Sequence, residues 1–196
     1  MDTLKQQRTK KEIIDAMKQL LGRENFSDIT VKQVCETAMI HHSTFYRYFL
    51  DKYDLLQAVL GIICDDINIL LNAGQTVGDA TFEIVKREEN IFRHLNDYQR
   101  ESSFYSDFLN GLSGLITEYA TKDKSVSHDA LLEIVKRSKN PELASYTAAG
   151  AILGIIAKWN DEVTPVSNET LHTFLDDSYT QLTVYSDVIS KKSADN

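Results

Sequence analysis

The sequence predicts an all-α protein of about nine helices, with a three-helix helix-turn-helix headpiece at the N-terminus and a larger helical C-terminal domain behind it. Three observations carry this. Only two prolines and eight glycines occur in 196 residues, so few positions oppose a helix. Apolar residues return at three- and four-residue spacing along most of the chain. Ser/Thr-x-x-Glu/Gln and Asn-Pro signals stand just before several of those apolar runs. A 42% hydrophobic composition is enough for a sizeable core, and no sheet is expected.

Taken in order, Thr9-Lys10-Lys11-Glu12 reads as a capping box that opens helix one, with Ile13, Ile14, Met17, Leu20 and Leu21 on one face and an end near Gly22. Thr30-Val31-Lys32-Gln33 repeats the signal with Gln, opening a short second helix that stops near Ala38 or Met39. A few residues later His42 to Phe49 forms a third, and a short turn between two short helices is the helix-turn-helix connection. Asp51 caps a longer helix that keeps its period until Asn72-Ala73-Gly74. The spacing then predicts a loop over 74–78 and helices over 81–95, 101–121 and 128–137. Asn140-Pro141 starts a helix running to about Glu162, because Asn is a good N-cap and Pro suits the first helical position. Pro165 prevents its continuation, and a last helix begins at Ser167 or Asn168.

Charge is distributed unevenly. Residues 1–60 carry nine Lys/Arg against eight Asp/Glu, whereas the remainder carries twelve against twenty-one and accounts for the net −8. Lys5, Arg8, Lys10 and Lys11 cluster ahead of every acidic residue but Asp2, as a basic arm beside a phosphate backbone would. Cys35 and Cys64 lie in apolar-periodic segments without ligand spacing, which reads as two buried thiols in a reducing compartment. No secretory signal is expected at the N-terminus, and the longest apolar run, Ala148 to Ala157, is about half of the ~20 residues a membrane-spanning helix needs. A cytoplasmic protein without a membrane partner is expected. The sequence holds no G-x-S-x-G, phosphate-loop or H-E-x-x-H motif, and His94, His128 and His172 lack metal-ligand spacing. No enzymatic activity, cofactor or metal is expected.

Residues 38–56, AMIHHSTFYRYFLDKYDLL, resemble the signature of the TetR family, with Thr44, Phe45, Tyr46, Phe49, Lys52 and Leu55 in register. Ile14, Ala16, Leu20, Phe26, Thr30 and Val31 are also spaced as in that family, so the likeness spans about residues 9–60. A looser likeness covers 146–176, where AAGAILGIIAKWNDE and SNETLHTFL are similar to a C-terminal domain of Gram-positive regulators of the same family. Two positions depart from the family pattern. Met39 stands where glycine is usual in the turn, so a positive φ there would carry strain, and His41 replaces a serine cap although histidine caps poorly.

The resemblance implies a dimeric sequence-specific transcriptional regulator, most simply a repressor released by a small-molecule effector of unknown identity. Residues 1–50 would be the DNA-binding domain and 51–196 the ligand-binding and dimerisation domain, with helix 51–73 joining them. Its partner would be double-stranded DNA with a near-palindromic operator, since one lightly charged head binds weakly and two heads follow a two-fold axis. His41, His42, Ser43 and Thr44 would face bases; Thr30, Tyr46, Arg47, Tyr48 and Lys52 would meet the backbone. Phe82, Phe92, Phe104, Tyr105, Phe108 and Trp159 are the candidate lining of an effector pocket, although aromatics at helical spacing are more often plain core. Ala148, Ala151, Ile152 and Ile155, with Leu171, Phe174, Leu175 and Leu182 of the last helix, are the candidate homodimer interface, because the helix from Pro141 is apolar nearly all round. The alternative is a TetR-like co-regulator that binds another protein and has reduced or no operator binding of its own.

Overall fold

Thr3 opens the first helix. In the computed structural model, which describes residues 3–95, 103–121 and 129–159 together with Ser167 and Thr170, its hydroxyl accepts from the Gln6 amide at 3.3 Å while the Gln6 side chain accepts from the Thr3 amide at 2.7 Å. That is a complete capping box, and α1 runs Leu4–Leu21 to a C-cap at Gly22. The start expected at Thr9 is therefore corrected. Thr9 lies inside the helix with its hydroxyl donating to the Lys5 carbonyl at 3.1 Å, and the ion pairs Arg8–Glu12 and Lys11–Asp15 support the added turns. The basic arm is thus helical, with Lys5, Arg8, Lys10 and Lys11 exposed along it.

Helices α2, Val31–Thr37, and α4, Lys52–Asn72, follow the sequence signals closely, whereas α3, His42–Phe45, ends four residues before the expected Phe49. Asp51 Oδ1 accepts from the amides of Tyr53 and Asp54 at 2.8 and 2.9 Å, as an N-cap should. Two expectations change beyond it. The helix foreseen from Thr81 begins at Val77, and it breaks at Glu88 into α5, Val77–Arg87, and α6, Glu89–His94. At the break Glu88 leaves the helical backbone region, with φ -102 and ψ 24, and its carboxylate is held 2.9 Å from Lys18 Nζ of α1. The segment foreseen from Glu101 is α7, Ser103–Thr121; α8 is Ala130–Arg137, capped by Asp129; α9 is Pro141–Trp159. Among the described residues there are nine helices and no strand. None of these helices is long and apolar enough to cross a membrane. The last predicted helix falls outside the described residues, apart from Ser167, whose hydroxyl accepts from the Thr170 amide at 3.1 Å.

Packing divides the chain into two compact units. The first comprises Met1–Asp65 with Lys86–Phe108, so residues that follow α5 in sequence fold with the N-terminal helices. Here α1 packs on α2 and α6, and α2 on α3, around Ile13, Met17, Leu21, Phe26, Val34, Phe45 and Leu55. The α1–α6 seam is polar as well as apolar. Lys18 meets Glu88, His94 Nδ1 lies 2.7 Å from the Leu21 carbonyl, and the Phe26 amide donates to the His94 carbonyl at 3.1 Å.

The second unit comprises Asp66–Val85 and the described residues from Leu109 onward, with α8 packed on α9. Its polar centre is Asp129, a buried carboxylate whose oxygens accept from the amides of Val77 at 2.6 Å, Leu131 at 2.9 Å and Leu132 at 3.2 Å. One side chain therefore satisfies the N-termini of both α5 and α8. Tyr119 adds a bond from its hydroxyl to Asn68 Oδ1 at 2.8 Å.

Candidate nucleic-acid interface

The site is built on α2, the turn after it, and α3. Thr30 caps α2 with a full box: its hydroxyl accepts from the Gln33 amide at 3.2 Å and donates to Gln33 Oε1 at 2.7 Å, while Gln33 Nε2 reaches Glu24 at 2.9 Å. The Thr30 hydroxyl hydrogen is thus committed to Gln33, so what this corner presents to an anion is the positive end of the helix dipole.

Helix α2 ends in a Schellman turn. The Ile40 amide donates back to the Cys35 carbonyl at 2.9 Å and the Met39 amide to the Glu36 carbonyl at 3.2 Å, which forces Met39 to φ 54. The position does need a left-handed residue, and Met39 fills it with its side chain 91% exposed. Helix α3 follows at once. His41 is its N-cap in extended backbone and makes no side-chain cap bond, as expected of histidine. The α-helical span is short, His42–Phe45, and hydrogen-bonded turns carry it on, with the Phe49 amide donating to the Phe45 carbonyl at 3.0 Å.

Burial then sorts the side chains. Phe45 and Phe49 point into the unit, 0% and 3% exposed, with ring centroids 5.9 Å apart. Lys10 of α1 lies over Phe49 at 5.8 Å. That leaves His41, His42, Ser43, Tyr46 and Arg47 exposed and Thr44 and Tyr48 half-buried, on a helix anchored by two phenylalanines. Arg47 stacks over the Tyr48 ring at 5.6 Å, which holds its guanidinium beside that phenol.

Lys52 is the expected contact that the structure places differently. All three ammonium donors are used inside the chain, on the carbonyls of Phe26 at 2.9 Å, Ser27 at 3.1 Å and Ile29 at 2.8 Å, with the Phe26 ring 4.6 Å away. Desolvation lowers its pKa from the ordinary lysine value, and Asp28 acts in the opposite direction. This geometry makes Lys52 a clamp between the start of α4 and the loop that leads into α2.

Residues 13–59 match the family model described as bacterial regulatory proteins, tetR family. Over those residues the headpiece is similar to the TetR family. The chain is also similar to the uncharacterized HTH-type transcriptional regulator YvkB of Bacillus subtilis (strain 168), 27% identical over 130 residues that cover 63% of this chain. The match spans 66% of that protein's length, just under two thirds.

Behind the headpiece, the candidate pocket residues fall in both units. Phe92 and Phe108 are fully buried in the first with ring centroids 5.5 Å apart and planes tilted by 45°, Tyr105 is partly exposed, and Phe82 belongs to the second unit and is half-buried. The side chains of Phe104 and Trp159 lie outside the described residues. On α9, Ile152 faces inward with Ser145, Ala149, Leu153 and Ile156, Ala148 and Ile155 are half-buried, and Ala151 is exposed. Leu171, Phe174, Leu175 and Leu182 fall outside the described residues. Among the described residues no cluster of His, Cys, Asp or Glu could hold a metal ion. Both thiols are free; burial, with Asp65 adding to it, pushes Cys64 up to about 11, and burial with Glu36 raises Cys35.

Sequence reasoning missed the Lys18–Glu88, His94–Leu21 and Asp129–Val77 links. Only Asp129 left a local trace, as a capping residue ahead of the apolar run Ala130–Val135.

Proposed function

We propose that this TetR-family chain is a homodimeric, cytoplasmic transcriptional regulator that binds a near-palindromic operator through α3 and is released from it by a small molecule, acting as a repressor. The supporting observation is the sorting of α3 into a buried Phe45/Phe49 anchor and an exposed row of His41, His42, Ser43 and Arg47. Such a helix offers short hydrogen-bonding groups at its N-terminal end, where base edges are met in the major groove.

Dimerisation is supported by the outer face of α9, where Leu143, Tyr146, Ala151 and Gly154 are exposed opposite the inward stripe. An effector in the second unit is supported by two hydroxyls, Thr81 and Ser145. They are 1% and 0% exposed and neither oxygen has a hydrogen-bond partner, an arrangement a polar ligand group would satisfy.

The test is selection of duplexes from a random pool by the full chain, followed by affinity measurements across salt concentrations. A two-fold symmetric consensus bound with steep salt dependence is expected. Failure to enrich any sequence at low salt would sink the DNA-binding reading in favour of a protein-binding co-regulator.

A further inference from the structure

We infer that Met39 is a specificity residue whose thioether packs on the C5-methyl group of a thymine in each half-site; the inference rests on the DNA-binding reading above. The chain contains its own control. Helix α4 ends in the same Schellman geometry, with the Gln75 amide on the Leu70 carbonyl and the Gly74 amide on the Leu71 carbonyl, and there the left-handed position is Gly74 at φ 95. A Cβ built on Gly74 would meet nothing within 4 Å, so the backbone angle alone accounts for glycine there. At the end of α2 the identical turn uses methionine, which is strained at φ 54.

Folding does not explain that choice. The Met39 side chain is 91% exposed and therefore recovers almost nothing by packing within the chain. A strained residue that buries nothing internally points to an external contact. Its position supplies the contact: Met39 lies two residues before His41, the N-cap of α3, at the end of the recognition helix that enters the major groove. Its chemistry narrows the partner. A thioether donates no hydrogen bond and carries no charge, so it suits neither phosphate nor the polar base edges, whereas the thymine methyl is the apolar group on the major-groove floor.

The experiment takes the operator selected by the wild-type chain and replaces its thymines one at a time with deoxyuridine, which removes only the methyl. Binding is compared for wild type, Met39→Gly and Met39→Asn, both of which tolerate positive φ, and denaturation midpoints check that each variant is folded. At one thymine per half-site, wild-type affinity should fall about fourfold, the weight of one buried methyl group. Both variants, which lose the contact in both half-sites, should bind the unmodified operator about sixteenfold more weakly and ignore that deoxyuridine. Equal responses of wild type and variants at every thymine, or a selected half-site without thymine, overturn the role of Met39 and leave DNA binding standing. A pool that yields no site overturns both.

Discussion

Met39 and Lys52 illustrate how single residues in the headpiece are held by opposite kinds of force. Met39 sits in a conformation its Cβ opposes, so Met39→Gly should stabilise the chain by about 1 kcal/mol in a denaturation experiment, less whatever glycine adds to the flexibility of the unfolded chain. A variant more stable yet weaker in binding is the signature of strain kept for contact rather than for folding. Lys52 is the reverse case, a charge whose donors all serve the fold. Lys52→Met keeps an apolar stem near Phe26 but leaves three carbonyls without their donor, and the expected loss is about 2 kcal/mol by urea midpoint. Lys52→Arg should restore little, because a planar guanidinium fork does not converge on three carbonyls as an ammonium does. An unchanged midpoint in Lys52→Met would remove the clamp. The family signature places a lysine at this register, but it does not say whether the side chain turns outward to phosphate or inward to the α1–α2 loop; the path of that loop decides it.

At the scale of elements, most helix starts were legible because a cap is settled within three or four residues. Thr30/Gln33, Asp51 and Asn140/Pro141 were read correctly, and Thr9 was misread because Thr3 offers a competing box six positions earlier that the exposed i,i+4 ion pairs favour. The break between α5 and α6 left no signal in the local pattern, and the residue at it, Glu88, pairs with a lysine on α1. Asp129 joins two elements that no local signal connects. Asp129→Ala strips the amides of Val77, Leu131 and Leu132 of their acceptor, and a loss of about 2–3 kcal/mol is expected, with faster hydrogen exchange at the first turns of α5 and α8. Exchange accelerated at α8 alone would show that the bond to Val77 contributes nothing. The hydroxyls on α5 and α9 behave oppositely. Thr81→Val and Ser145→Ala each remove a buried oxygen that lacks a partner, so the ligand-free chain should gain about 1 kcal/mol from either change, measured by thermal denaturation. A loss of stability instead would mean those oxygens are satisfied without an effector.

For the whole molecule, a net charge of −8 sets a strict condition on DNA binding. Exposed cations of the first unit, among them Lys5, Arg8, Lys10, Lys11 and Arg47, would meet phosphate, Arg8 and Lys11 by exchanging their intrahelical partners Glu12 and Asp15. If two heads each engage about four phosphates, the logarithm of affinity should fall against the logarithm of salt with a slope of about −7. A slope near zero for the selected operator would contradict the proposed docking through α3 and the helical arm. The sequence by itself determined the helical class, the capped ends of α2, α4 and α9, the helix-turn-helix with its resemblance to the TetR family, and that a left-handed Met39 would be strained. Each of these is written in residues a few positions apart, where hydrogen bonds and backbone sterics act locally. Only the tertiary structure decided that Lys52 turns inward, that residues after α5 fold with the N-terminal helices, and that Asp129, Lys18 and His94 tie together segments 52, 70 and 73 residues apart. Partners at such separations are selected by the packing of whole helices, and a one-dimensional pattern carries no record of which helix faces will meet.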